Sequence, residues 1–116
     1  MEEEKIGINI YYFSPIEGNL EEVLFGLEEE GLPYITTESI EKDAKLLGKM
    51  ASSVSKLGVG IGIGRDEISL SYEKLPADKP VFIFPLNLSK EKLRILGMNG
   101  ARLIKGEPFI IPKGDE

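Results

Sequence analysis

The chain has 116 residues, no cysteine, no histidine and a net charge of -6. That length suffices for one domain with its own core. The composition excludes disulfides, thiolate or imidazole metal sites and Ser–His or Cys–His acyl-transfer pairs, and an acidic chain lacks the positive footprint that nucleic acid requires.

No apolar run approaches the length of a membrane span, and the first residues, MEEEK, are the opposite of a secretory leader. A cytoplasmic protein is expected, with no membrane partner. The polar stretches 1–5 and 112–116 are expected to be loose ends of a single domain over 1–116.

Residues 6–13, IGINIYYF, are rich in β-branched and aromatic side chains and predict a strand. A helix follows over 19–31, NLEEVLFGLEEEG. Asn19 takes the N-cap position with Glu22 at capping-box spacing, and Gly31 stands where a left-handed residue ends a helix. Its apolar stripe is Leu20, Val23, Leu24 and Leu27. PYITT predicts a short strand. A second helix is expected from Ser39 to about Lys56, with Ile40, Ala44, Leu47, Ala51 and Val54 on one face.

Residues 58–64, GVGIGIG, raise the question of a phosphate loop. Neither G-x-G-x-x-G nor G-x-x-x-x-G-K-[ST] spacing occurs. The period is two: Val59, Ile61 and Ile63 point one way and the glycines the other. This predicts a strand with a bare face against which another element packs closely. GRDE turns the chain and ISLSY returns as the antiparallel partner. VFIFPL is a further strand, with Pro85 placing its end at an edge. Ser89 caps a last helix, whose inner face is Leu93, Leu96, Gly100, Leu103 and Ile104 and which stops at Gly106. The order β-α-β-α-β-β-β-α implies a mainly parallel α/β sheet, mixed because the hairpin turns one strand antiparallel.

The densest charge signal is Glu28, Glu29 and Glu30 in the last turn of the first helix, where carboxylates are disfavoured by the macrodipole and repel one another. One reading is a solvated charge run. The other is a partner-binding face. At about 100° per residue Glu29 points away from the leucine stripe, beside Glu22, Phe25 and Gly26. A phenylalanine and a glycine on a solvent face suit docking, and a partner's cations or a shared metal ion would relieve the carboxylates. The pattern leans towards the partner face. On the last helix Ile95, Met98, Asn99 and Arg102 face outward. Cover by the tail EPFIIP is favoured there over a second contact surface. No catalytic set is recognisable, so a non-enzymatic role is expected.

Three blocks resemble one known family: EEVLFGLEEEGLPY (21–34), GVGIGIGRDEISLSYEKLPADKPVF (58–82), with its YEKLP ending, and GMNGARLIKGEPF (97–109). The family is the small subunit of diol and glycerol dehydratase reactivating factors, related to the medium subunit of adenosylcobalamin-dependent dehydratases. The resemblance implies a three-layer α/β/α fold with a five-stranded mixed sheet. It implies a chaperone-like component that binds an actin-like ATPase large subunit and exchanges with the dehydratase medium subunit, so that damaged cobalamin leaves. ATP chemistry would sit on the large subunit, and this chain alone would bind no cofactor. The middle glutamate of the EEEG block, Glu29, is expected to reach a divalent ion, magnesium or calcium, held mainly by the large subunit. Asn99, Arg102 and Lys105 match the last block without a role carrying over. A dehydratase medium-subunit component is the alternative, disfavoured because medium subunits are longer. Association with a bacterial microcompartment is an accompanying expectation.

Overall fold

The structure, a computed structural model, describes residues 6–14 and 19–111. The expectations for 1–5, 15–18 and 112–116 fall outside the described residues. The elements are β1 (Ile8–Phe13), α1 (Asn19–Glu29), β2 (Tyr34–Ser39), α2 (Ala44–Val54), β3 (Val59–Ile63), β4 (Glu67–Tyr72), β5 (Phe82–Pro85) and α3 (Lys90–Lys105). Asn19 is the first helical residue and not the cap, and the position before it lies outside the described residues.

The five strands form one sheet in the order β2-β1-β3-β4-β5. β1 pairs parallel with β2 and β3, while β4 runs against both β3 and β5, so one strand opposes the other four, as expected. The two crossovers run in opposite directions along the sheet, first outward to β2 and then back past β1 to β3, and crossovers of one hand then place their helices on opposite faces. α1 and α3 lie together on one face and α2 lies alone on the other, giving three layers.

The central strand β3 is buried along its whole length. Its apolar side chains join Ile8, Ile10, Ile68 and Leu70 beneath Val23, Leu27, Leu93, Leu96 and Ala101. Each fully buried Ile or Leu contributes about 1.5–3 kcal/mol. The bare face of β3 meets α2. A Cβ on Gly60 would overlap Ser52 N, and one on Gly62 would overlap Gly48 N and Ala44 O, all inside 3.0 Å. Ser69 Oγ, on β4, donates to Ala44 O at 2.7 Å, so a hydrogen bond also joins this helix to the sheet. The glycines are therefore packing residues of a hairpin strand.

The second helix is shorter than expected. β2 extends to Ser39, held in register with Phe13, and the helix starts only after Asp43, whose carboxylate accepts from Lys45 N at 2.9 Å. Ile40 fits the helical period but belongs to the connection and is 94 % exposed. Val54 is exposed as well, whereas Ala44, Leu47 and Ala51 are buried as expected, together with Gly48 and Ser52.

Both ends of the last helix and the C-terminal end of the first match expectation. Ser89 Oγ accepts from Lys92 N at 3.2 Å, and α3 closes on Gly106 in the left-handed conformation, φ 73°. Gly31, φ 74°, closes α1 with bonds from Gly31 N to Glu28 O and from Leu32 N to Leu27 O, both 3.0 Å. Among the described residues no helix is long and apolar enough to cross a membrane.

Candidate partner-binding face

α1 and α3 cross with their backbones in contact. A Cβ on Gly26 would overlap Arg94 O, and one on Gly97 would overlap Val23 O, so each helix places a glycine against the other's carbonyl. This corrects the reading of Gly26 as a residue on the solvent side of α1. It is buried, and α3 lies over it. Glu22 is covered in the same way. Its side chain is only 12 % exposed and accepts from Arg94 Nη2 at 2.9 Å. Phe25 remains 41 % exposed, with the Arg94 guanidinium 5.6 Å from its ring centroid, a cation–π contact.

The three glutamates at the end of α1 have different fates. Glu28 Oε2 accepts from the Tyr34 hydroxyl at 2.7 Å, and that bond holds the hydroxyl above its usual tyrosine range. The Glu30 side chain is 9 % exposed and is tied to Lys105 Nζ at 2.7 Å and Arg102 Nη2 at 3.1 Å, while Lys105 also donates to the Glu30 carbonyl. The Lys105 hydrogen bond, reinforced by Arg102 and opposed by burial, holds the Glu30 carboxyl below the usual glutamate range. The two cations also offset the helix C-terminal dipole. The Glu29 side chain is 47 % exposed, and its ion-pair contact is with Arg94 Nη1 at 3.6 Å, too long for a hydrogen bond. Of the three glutamates, Glu29 has the most loosely held carboxylate.

Glu30 yields a pH prediction. Its folded-state carboxyl is lowered, so its contribution is present above the ordinary glutamate value of 4.5 and is lost as pH falls through the folded value. Glu30→Gln is expected to lower stability at pH 7 by about 1 kcal/mol, the upper end for partly exposed ion pairs. The deficit should narrow on acidification below pH 4.5. Urea unfolding at pH 7 and pH 3 reads both effects, and a deficit independent of pH would show that the charge plays no part.

Beside Glu29 lies a shallow depression lined also by Glu91, Arg94, Ile95 and Met98. The outward residues Ile95 and Met98 of α3 therefore share one surface with Glu29, and Arg94 joins it to Phe25. Asn99 and Arg102 do not share it. Asn99 bonds the Ile110 backbone reciprocally, at 3.0 and 2.7 Å, and Arg102 Nη1 donates to Pro108 O, so the tail covers these two, as the favoured reading had it for all four, while Ile95 and Met98 line the depression beside Glu29. Arg94 and Glu91 escaped sequence reasoning. The signal that would have found Arg94 is the pair Gly26 and Gly97, two glycines inside predicted helices, which together mark a close crossing.

Among the described residues no group of three or more acidic side chains is placed to hold a metal ion. Glu29 offers a single hard oxygen donor, while magnesium and calcium require six or more oxygen ligands. It fits such an ion as one ligand among several.

The model of the dehydratase medium subunit family matches residues 5–110. The propanediol dehydratase-reactivating factor small subunit of Citrobacter freundii is 39 % identical over 88 residues, 76 % of each chain. The chain belongs to the dehydratase-reactivating factor small subunits. Two solved structures share the fold of this small subunit. A glycerol dehydratase reactivase chain superimposes with TM-score 0.88 at 35 % identity, over 92 % of this chain and 98 % of that one. A chain of a diol dehydratase-reactivating factor complexed with ADP and Mg2+ gives TM-score 0.87 at 32 % identity, over 93 % and 100 %. The similarity favours a reactivating-factor small subunit over a medium-subunit component of a dehydratase.

Proposed function

We propose that this small subunit is the non-catalytic, binding and exchange component of its reactivating factor. It docks on an ATPase-like large subunit through the outer face of α1 and α3, and it exchanges with the dehydratase medium subunit so that damaged cobalamin is released. ATP turnover belongs to the large subunit. A cytoplasmic site of action, within reach of a bacterial microcompartment, is part of the same reading. The solved diol dehydratase-reactivating factor complexed with ADP and Mg2+ supports a nucleotide-handling partner.

The observation that carries the docking face is Glu29, a half-exposed carboxylate between two committed neighbours and beside an exposed phenylalanine. Glu29 would supply one oxygen ligand to a magnesium or calcium ion shared with the large subunit. Phe25 packs beside it as an apolar anchor, while Glu28 and Glu30 shape the end of the helix. Gly26 and Glu22 serve the same face from beneath, by fixing α1 on α3.

The test is a titration of the chain against the large subunit with and without magnesium. Phe25→Ala is expected to weaken association by about 1 kcal/mol or more, the mark of an anchor. Glu29→Gln should be neutral or slightly stabilising in the free chain, where it removes charge from a helix C-terminus. In the complex it should weaken association, and the loss should shrink when the ion is chelated from the wild type too. Unchanged affinity for both variants would leave this face merely solvated.

A further inference from the structure

We propose that Arg94 is an internal counter-ion of Glu29, which must give way before a divalent ion can be held there. This deepens the reading of Glu29 as an ion ligand and rests on it.

Arg94 has two firm holds and one loose one. Nη2 donates to Glu22 Oε1 at 2.9 Å, on a carboxylate that is itself nearly covered. The guanidinium carbon lies over the Phe25 ring, 5.6 Å from its centroid. The third contact, Nη1 to Glu29 Oε1, is at 3.6 Å on the solvent side, close enough for Coulomb attraction and too long for a hydrogen bond. Arg94 Nε is buried and has no hydrogen-bond partner among the described residues, so the side chain is held by its two anchors and not by a full set of bonds. It can surrender Glu29 and keep Glu22 and Phe25.

The same arrangement explains how three adjacent glutamates are tolerated at a helix C-terminus. Glu28 has the Tyr34 hydroxyl and Glu30 has Lys105 and Arg102, both at hydrogen-bonding distance, whereas Glu29 has a cation whose hydrogen bond goes to Glu22. A divalent ion on Glu29 would sit next to that guanidinium and be repelled by it. Arg94 therefore sets a threshold. The ion is disfavoured on the isolated chain and is held once a partner adds enough further oxygen ligands. Loading of the ion is thereby coupled to assembly. Glu91, the other carboxylate lining the depression, works in the opposite direction by attracting the ion.

The experiment measures assembly of the full chain with the large subunit against the concentration of magnesium, and separately of calcium, for wild type, Arg94→Met, Arg94→Lys and Glu29→Gln. Melting curves of each free chain are recorded alongside. Methionine keeps a long apolar side chain over Phe25 and removes the charge; lysine keeps the charge. Arg94→Met is expected to lower the divalent concentration at half-assembly about three- to tenfold, on the scale of an exposed ion pair doubled for a divalent charge. Arg94→Lys should stay near wild type, and the Arg94→Met shift should shrink at high ionic strength. A midpoint unchanged or raised in Arg94→Met, with Glu29→Gln losing its divalent dependence, overturns the counter-ion role alone. If Glu29→Gln keeps a wild-type divalent dependence, the ion-ligand reading fails and this inference falls with it. Should Arg94→Met fail to fold, Arg94→Lys decides, since a large shift despite retained charge overturns the electrostatic account.

Discussion

Gly62→Val is expected to lower the melting temperature by at least about 10 °C. Local preference points the other way, because valine suits a central strand far better than glycine does. Packing decides the sign. The new Cβ would fall on Gly48 N and Ala44 O, which are backbone atoms of α2 and not the yielding end of a side chain. The helix would have to lift from the sheet, breaking the 2.7 Å bond from Ser69 Oγ to Ala44 O. Overpacking costs about 1–3 kcal/mol and sometimes more, and backbone against backbone belongs at the upper end. For a domain of this size each kcal/mol moves the midpoint by about 4 °C. A thermal melt followed by circular dichroism reads the result. A normal melt would mean that α2 does not sit on the bare face of β3.

Gly26→Ala is the second large effect, and its sign separates two accounts of one residue. On a solvent-exposed helix face the change would stabilise by about 1 kcal/mol, because alanine is the better helix former. At the α1–α3 crossing the added methyl meets the Arg94 carbonyl and Met98 N, so the helices must part. A destabilisation of about 1–3 kcal/mol is expected. Parting the helices also draws Arg94 away from Glu22, so association with the large subunit should weaken even below the melting temperature. A denaturant titration that finds the variant more stable than wild type would restore Gly26 to the solvent face.

What was legible in the sequence was local. The hairpin announced itself by its period of two, and Ser89, Gly31 and Gly106 marked helix ends because the chemistry of a cap is carried by one or two residues. Ile40 misled because the 3.6-residue period describes only the helical case. Pairing of Ser39 with Phe13, a contact across the sheet, keeps the chain extended to that point. Side-chain turns then carry it to Asp43, with Ser39 Oγ accepting from Glu41 N and the Glu41 carboxylate from Lys42 N and Asp43 N. Gly26 and Glu22 misled for a related reason. A single apolar stripe identifies one neighbour of a helix, and α1 has two, the sheet and α3. The second contact is made through glycine and an ion pair, neither of which hydrophobic periodicity registers. The outward direction of Glu29 was legible from the stripe alone, whereas the separate partners of Glu28 and Glu30 come from Tyr34, Arg102 and Lys105, distant in sequence.

The two faces of the sheet also set different rules for sequence drift. Beneath α1 and α3 lies a thick layer of Ile, Leu and Val, where a change of shape at one position can be answered by its neighbours so long as total volume is kept. Beneath α2 the layer has almost no thickness, since Gly60, Gly62 and Gly48 bring main chain onto main chain and onto the hydroxyls of Ser69 and Ser71. At those glycines there is no volume to redistribute, and Ala44, Leu47 and Ala51 supply the little apolar packing there is. One side of this domain is free to wander through hydrophobic alternatives over evolutionary time, and the other is pinned wherever main chain meets main chain.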